Sequence, residues 1–142
     1  MAASDERAAL LRRGDELWDE LTAALDTSID APLGPSTDWM GRDVYAHFAR
    51  WTRQTADDLR RVLDGKPPRP IEGTEDEINA RIREEERETP VDQLRSRCTE
   101  ARAEVKALLL GLTDDQWRAF GEASADDVTP AHIEPHLRMM GA

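Results

Sequence analysis

Residues 42–64, "RDVYAHFARWTRQTADDLRRVLD", decide how this chain is to be read. Val44, His47, Phe48, Trp51, Thr55, Leu59, Val62 and Leu63 recur at helical steps, which lays them along one face of an α-helix. A half-buried strand would need strict alternation of apolar and polar residues, and none is present. His47 therefore falls on the inward face, between Val44 and Trp51. Gly65 suits a left-handed helix cap, and the three prolines of "DGKPPRPIEG" prevent the helix from continuing.

Upstream, "SDERAALLRRGDELWDELTAALDTSI" (residues 4–29) carries Leu10, Leu11, Leu17, Trp18, Leu21, Leu25 and Ile29 at steps of three, four and seven. That is the stripe of a first amphipathic helix, with Asp5 and Glu6 at the positive end of its dipole. "DAPLGPSTDWMG" (residues 30–41) cannot extend it and reads as a loop. Downstream, Thr74 with Glu77 forms the capping box of a third helix, whose early part has only Ile78 and Ile82 as apolar anchors. The run "REEERE" reads as a solvated face. At "TPVD", Thr89 can cap and Pro90 can occupy a first helical position, so the helix kinks or restarts. It then runs through Leu94, Cys98, Ala101, Val105, Leu108 and Leu109. Thr113 and Gln116 cap a further short turn, "RAFGEASADD" reads as loop, and "VTPAHIEPHLRMM" is a final helix. The whole predicts an all-α fold, an up-down four-helix bundle with one core, as a single domain over residues 1–142.

Composition narrows the partners. Thirty acidic against nineteen basic residues give a formal charge of -11, with no basic stripe to offset it. Such a surface repels phosphate backbones, so neither nucleic acid nor an anionic membrane is expected as a partner. The N-terminus "MAASDERAALLRRG" reaches charges too soon for a signal peptide, and the apolar run at "VKALLLGL" is too short to span a bilayer. A soluble, cytoplasmic protein is expected. The wealth of Ala, Arg, Asp and Glu resembles the coding bias of high-GC bacterial genomes. The single cysteine, Cys98, allows no internal disulfide and sits among helical core positions, where a thiol is usually inert.

The chain holds three histidines, and two of them, His132 and His136, lie four positions apart in "HIEPH". Residues at that spacing share a helix face and can offer ring nitrogens to one ion. His47 is the remaining histidine and faces inward, where a bundle supplies ligands from facing helices. Three imidazoles would leave an open coordination position, the catalytic rather than the closed structural pattern, and imidazole suits zinc, nickel, copper or iron. The zincin motif is excluded by Ile133 and its inverted form by Pro135. Glu134 projects about 200° around the helix from His132, so no general base is built into the motif. Two readings stay open on the residues alone: a metal site, or accidental spacing with His47 a satisfied core residue.

"STDWMGRDVYAHFARW", with Trp39, Asp43, His47 and Trp51, resembles the second-helix start of the DinB-like (YfiT-like) metal-binding superfamily. "DEINARIREEER" resembles the third helix of its ClbS/DfsB branch and of the bundle of mycothiol-dependent maleylpyruvate isomerases, and "HIEPHLRMM" is similar to the closing His-x-x-x-His. The resemblance spans most of the chain. It implies a DinB-like four-helix bundle, usually a homodimer, with a divalent metal ion, zinc or nickel foremost, held by His47, His132 and His136. It also implies a metal-dependent enzyme acting on a small-molecule substrate: a thiol-dependent S-transferase using a low-molecular-weight thiol as co-substrate, or a detoxifying hydrolase. Maleylpyruvate-type isomerases carry a further domain, so a stand-alone bundle is expected here. The alternative is a non-catalytic helical-bundle binding protein with a degenerate metal site.

Around the site, Asp43 can either accept the second ring proton of His47 or serve the dipole of its own helix. Trp39 and Trp51 can wall a pocket or fill the core. Asn79 falls where the resembling proteins often have Asn. Three departures stand out: Met40 where a capping Ser or Thr is usual, Pro135 inside the His-x-x-x-His turn, and only Leu137, Met139 and Met140 to dock the last turn. A bound ion could anchor that short helix, since metal-binding energy can become folding energy.

Overall fold

In the computed structural model of the protein, the residues described are 2–35, 37–121, 128, 132, 133, 135 and 136. Four long helices dominate: α1 (Ala2–Leu25), α2 (Gly41–Leu63), α3 (Glu75–Glu85) and α4 (Val91–Leu110), followed by a single turn α5 (Asp114–Gln116). Between α1 and α2 lies a small antiparallel ribbon, β1 (Pro32–Gly34) with β2 (Thr37–Met40), in a stretch expected to be loop. Pro32 is tolerated because both strands of a two-stranded ribbon are edges.

Cross-helix pairs give the directions. Asp26 meets Arg95, Asp15 meets Arg102 and Arg7 meets the carbonyl of Leu109, so α1 and α4 run antiparallel. Arg83 reaches Asp43 and Asn79 reaches Trp51, so α2 and α3 do the same. Cys98 bonds Tyr45 near the start of α2, while Arg53 and Arg60 both pair with Glu104 further along, so α2 and α4 run parallel. α2 is the central element. Its burial covers more than the stripe read from sequence, taking in Tyr45, Ala46, Ala49, Thr52 and Ala56, small or snug residues that let α1 and α4 approach. Leu63, expected inside, is 38% exposed, because the last turn of α2 runs past the packed region.

The main core joins Leu17, Leu21, Leu25, Val44, Phe48, Leu94 and Ile133, and a second cluster at the far end joins Leu11, Leu59, Val105, Leu109 and Val128. Each fully buried Leu or Phe contributes roughly 1.5–3 kcal/mol. Tyr45 is buried against this core and donates to Asp26 at 2.8 Å. Burial and that bond push its phenol up to about 12. Gly41 is required by close approach: a Cβ there would lie 2.4 Å from the carbonyl of Leu25. Gly65, at φ 78, is the expected left-handed cap, with its N–H on the carbonyl of Val62 at 3.0 Å.

The third helical segment is two separate helices. Pro90 takes the N-cap position of α4, and Thr89, expected to cap it, instead donates to Glu86 at 3.0 Å. Glu86 itself departs from the solvated face read for "REEERE": it is 8% exposed and accepts from Arg97 at 2.7 Å, with Arg50 at 3.8 Å. The capping box at Thr113 forms as read, with Thr113 and Gln116 exchanging bonds, and at Thr74 the side chain caps the helix by accepting the N–H of Glu77. Trp117–Gly121 form a π-helical turn, so residues 118–121, read as loop, are helical. Residues 122–127, the extent of the final helix, Glu134 and the docking of Leu137, Met139 and Met140 lie outside the described residues. No helix among the described residues is long and apolar enough to cross a membrane.

Candidate metal centre

The position of His47 is set by how α2 starts. Gly41 sits against the end of α1, and the N–H of Arg42 bonds the carbonyl of Ile29 at 3.1 Å, which fixes the first turn. With Met40 unable to cap, Asp43 supplies the bond, accepting the N–H of Met40 at 2.9 Å and pairing with Arg83 at 3.3 Å. The carboxylate thus serves the helix start, the second of the two readings open for it. His47 follows one turn later, 5% exposed.

Three imidazoles meet at this point. Nε2 of His132 lies 3.0 Å from Nε2 of His47 and 3.2 Å from Nε2 of His136. All three pairs of ring centroids are 5.0 Å apart, so the rings form an even triangle. His132, Ile133, Pro135 and His136 have helical backbone, and Pro135 does not keep the two rings from converging. Ile133 is fully buried in the main core and docks this segment, while His132 and His136 stay half-buried. Phe48, also fully buried, forms an apolar floor with its ring centroid 4.7 Å from His132 and 5.1 Å from His136.

The donor set fits a divalent cation. Ring nitrogens turned on one point bring lone pairs face to face unless a proton or a cation lies among them. A tetrahedral ion with bonds of about 2.0–2.1 Å holds its nitrogens about 3.3 Å apart. The two short separations, 3.0 and 3.2 Å, are close to that edge, and one ligand atom from each histidine lies within 4.8 Å of the others.

Asn79, on α3, supports the cluster. Its Oδ1 lies 3.1 Å from Nδ1 of His47 and accepts the indole N–H of Trp51 at 2.8 Å. Sequence reasoning noticed Asn79 without giving it a role. The available signal was its place between Ile78 and Ile82, which makes it a polar residue on the edge of the buried stripe of α3. Trp51 and Trp39 are both wall and core: each is half-buried against the main cluster, with ring centroids 6.3 and 6.0 Å from His47. Arg83 stacks over Trp39 at 5.0 Å and closes that side.

A model of the mycothiol maleylpyruvate isomerase N-terminal domain family matches residues 4–140. Comparison with curated proteins and with solved structures returned no significant match.

Proposed function

The chain belongs to the mycothiol maleylpyruvate isomerase N-terminal domain family, and from that membership we propose that it is a metal-dependent enzyme of small-molecule thiol chemistry. The observation that carries the reading is the convergence of His47, His132 and His136. Their three Nε2 atoms would hold a divalent ion, zinc or nickel by the preference of imidazole donors. Bound there, the ion supplies Lewis acidity to a thiol or carbonyl group brought beside it.

The chain's own residues do the rest. Phe48 and Ile133 close the inner side of the triangle to water, so charge near it is felt in a low dielectric. The half-buried His132 and His136 form the side from which a small molecule enters. A low-molecular-weight thiol, mycothiol by the family's description, is the co-substrate in this reading. In this reading the bundle works as a homodimer, as the resemblance implies.

The test is consumption of mycothiol thiol with a panel of small conjugated carbonyl compounds, using zinc- or nickel-loaded protein. Turnover that falls about 100-fold or more in His47→Ala, the several kcal/mol an ion contributes, supports the reading. Thiol consumption no faster than buffer across the panel, by protein shown to be loaded, overturns it.

A further inference from the structure

We propose that Asn79, oriented by Trp51, is a positioning residue that fixes the tautomer of His47 and so holds its Nε2 lone pair toward the centre of the triangle. The role as metal ligand rests on the reading above; the tautomer does not.

The argument starts from the indole. A tryptophan N–H can only donate, so the Asn79 atom 2.8 Å from Nε1 of Trp51 must be an acceptor. This decides the orientation of the amide, which side-chain shape alone leaves ambiguous. The same carbonyl oxygen, Oδ1, lies 3.1 Å from Nδ1 of His47. An amide oxygen cannot donate, so Nδ1 must carry the proton. In a neutral imidazole the other nitrogen is then the acceptor. That nitrogen, Nε2, is the atom 3.0 Å from His132.

The arrangement is economical in sequence. His47 and Trp51 are four apart on α2, so both donors leave the same helix face and meet one oxygen on α3. That oxygen uses both of its lone pairs. Ile78, buried beside Asn79, holds the backbone of α3 at this point. The amide is also neutral. A carboxylate in its place would raise the basicity of the imidazole and lower the Lewis acidity of an ion bound to it. Asp43, the carboxylate nearest in sequence, is held instead by Met40 and Arg83.

The test reads the tautomer without activity. Metal-free protein with 15N-labelled histidine is examined by long-range proton–nitrogen correlation at a pH where imidazole is neutral. Wild type is expected to show His47 protonated on Nδ1, with Nε2 in its unprotonated, pyridine-like form. In Asn79→Leu, checked for intact helical content, both tautomers are expected, with zinc affinity lowered about 10- to 100-fold. Asn79→Asp, which keeps an acceptor, is expected to restore the single tautomer, and Trp51→Phe to give a smaller loss than Asn79→Leu. A wild-type His47 protonated on Nε2 overturns the proposal, as does a single Nδ1–H tautomer retained in folded Asn79→Leu. A wild type that shows the Nδ1–H tautomer but binds no zinc overturns the metal reading and leaves the Asn79 assignment standing.

Discussion

Burial sets the chemistry of Cys98. Its thiol donates to the carbonyl of Tyr45 at 3.2 Å and is 2% exposed, and desolvation pushes its pKa up to about 12 from an ordinary 9.0, against a smaller opposing pull from Arg102. The folded thiol therefore stays neutral while the unfolded one ionises. Stability from this group is complete below pH 9 and is lost as pH rises toward about 12. The urea midpoint of the wild type is expected to fall over that range more steeply than that of Cys98→Ala, and equal slopes would contradict the assignment. The core reading of Cys98 was available in sequence because its helical neighbours Leu94, Ala101 and Val105 are apolar. The role of Asn79 was not. It depends on two side chains of another helix, 28 and 32 positions away, and no local pattern encodes such a meeting.

Helix ends show the same division between local and distant causes. The N-caps at Thr74 and Thr113 are short-range chemistry and are legible in sequence. The end of α4 is different, since its last turn contains no basic residue to meet the exposed carbonyls. Arg7 of α1 supplies the cation from 102 positions away, donating to the carbonyls of Leu109 at 2.8 Å and Leu112 at 2.9 Å. It also pairs with Asp114 at 3.3 Å and lies over the ring of Trp117 at 4.9 Å. Arg7 is 3% exposed, so truncation would remove a charged donor from two carbonyls in a dry site and leave that of Leu109 only the long 3.4 Å bond from Leu112. Arg7→Ala is expected to lower the unfolding free energy by about 2–4 kcal/mol in urea titration. A loss under about 1 kcal/mol would show that water replaces the guanidinium. A distant cap of this kind leaves no trace in the sequence, where Arg7 reads only as a charged residue near a helix start.

At the scale of the whole molecule, the triangle of imidazoles is where three separate pieces of chain meet. α2 brings His47, α3 brings Asn79, and the segment docked by Ile133 brings His132 and His136. The helical periodicity of α2 already places His47 inward, and the spacing of "HIEPH" places two rings together, so both halves of the cluster are legible separately. That they meet is a tertiary fact, set by the close approach at Gly41 and by Ile133 in the core. The β1–β2 ribbon was not legible, because short strands are decided by packing, whereas the break between α3 and α4 was signalled by Pro90, with only the choice between kink and restart left to packing. The central claim is that this meeting point holds an ion. Its most direct test is elemental mass spectrometry on tag-free protein purified without chelators, beside His47→Ala and His136→Ala. Near-stoichiometric zinc or nickel in the wild type, lost from both folded variants, is the predicted result. No bound metal in the wild type, even after incubation with zinc or nickel, would contradict it.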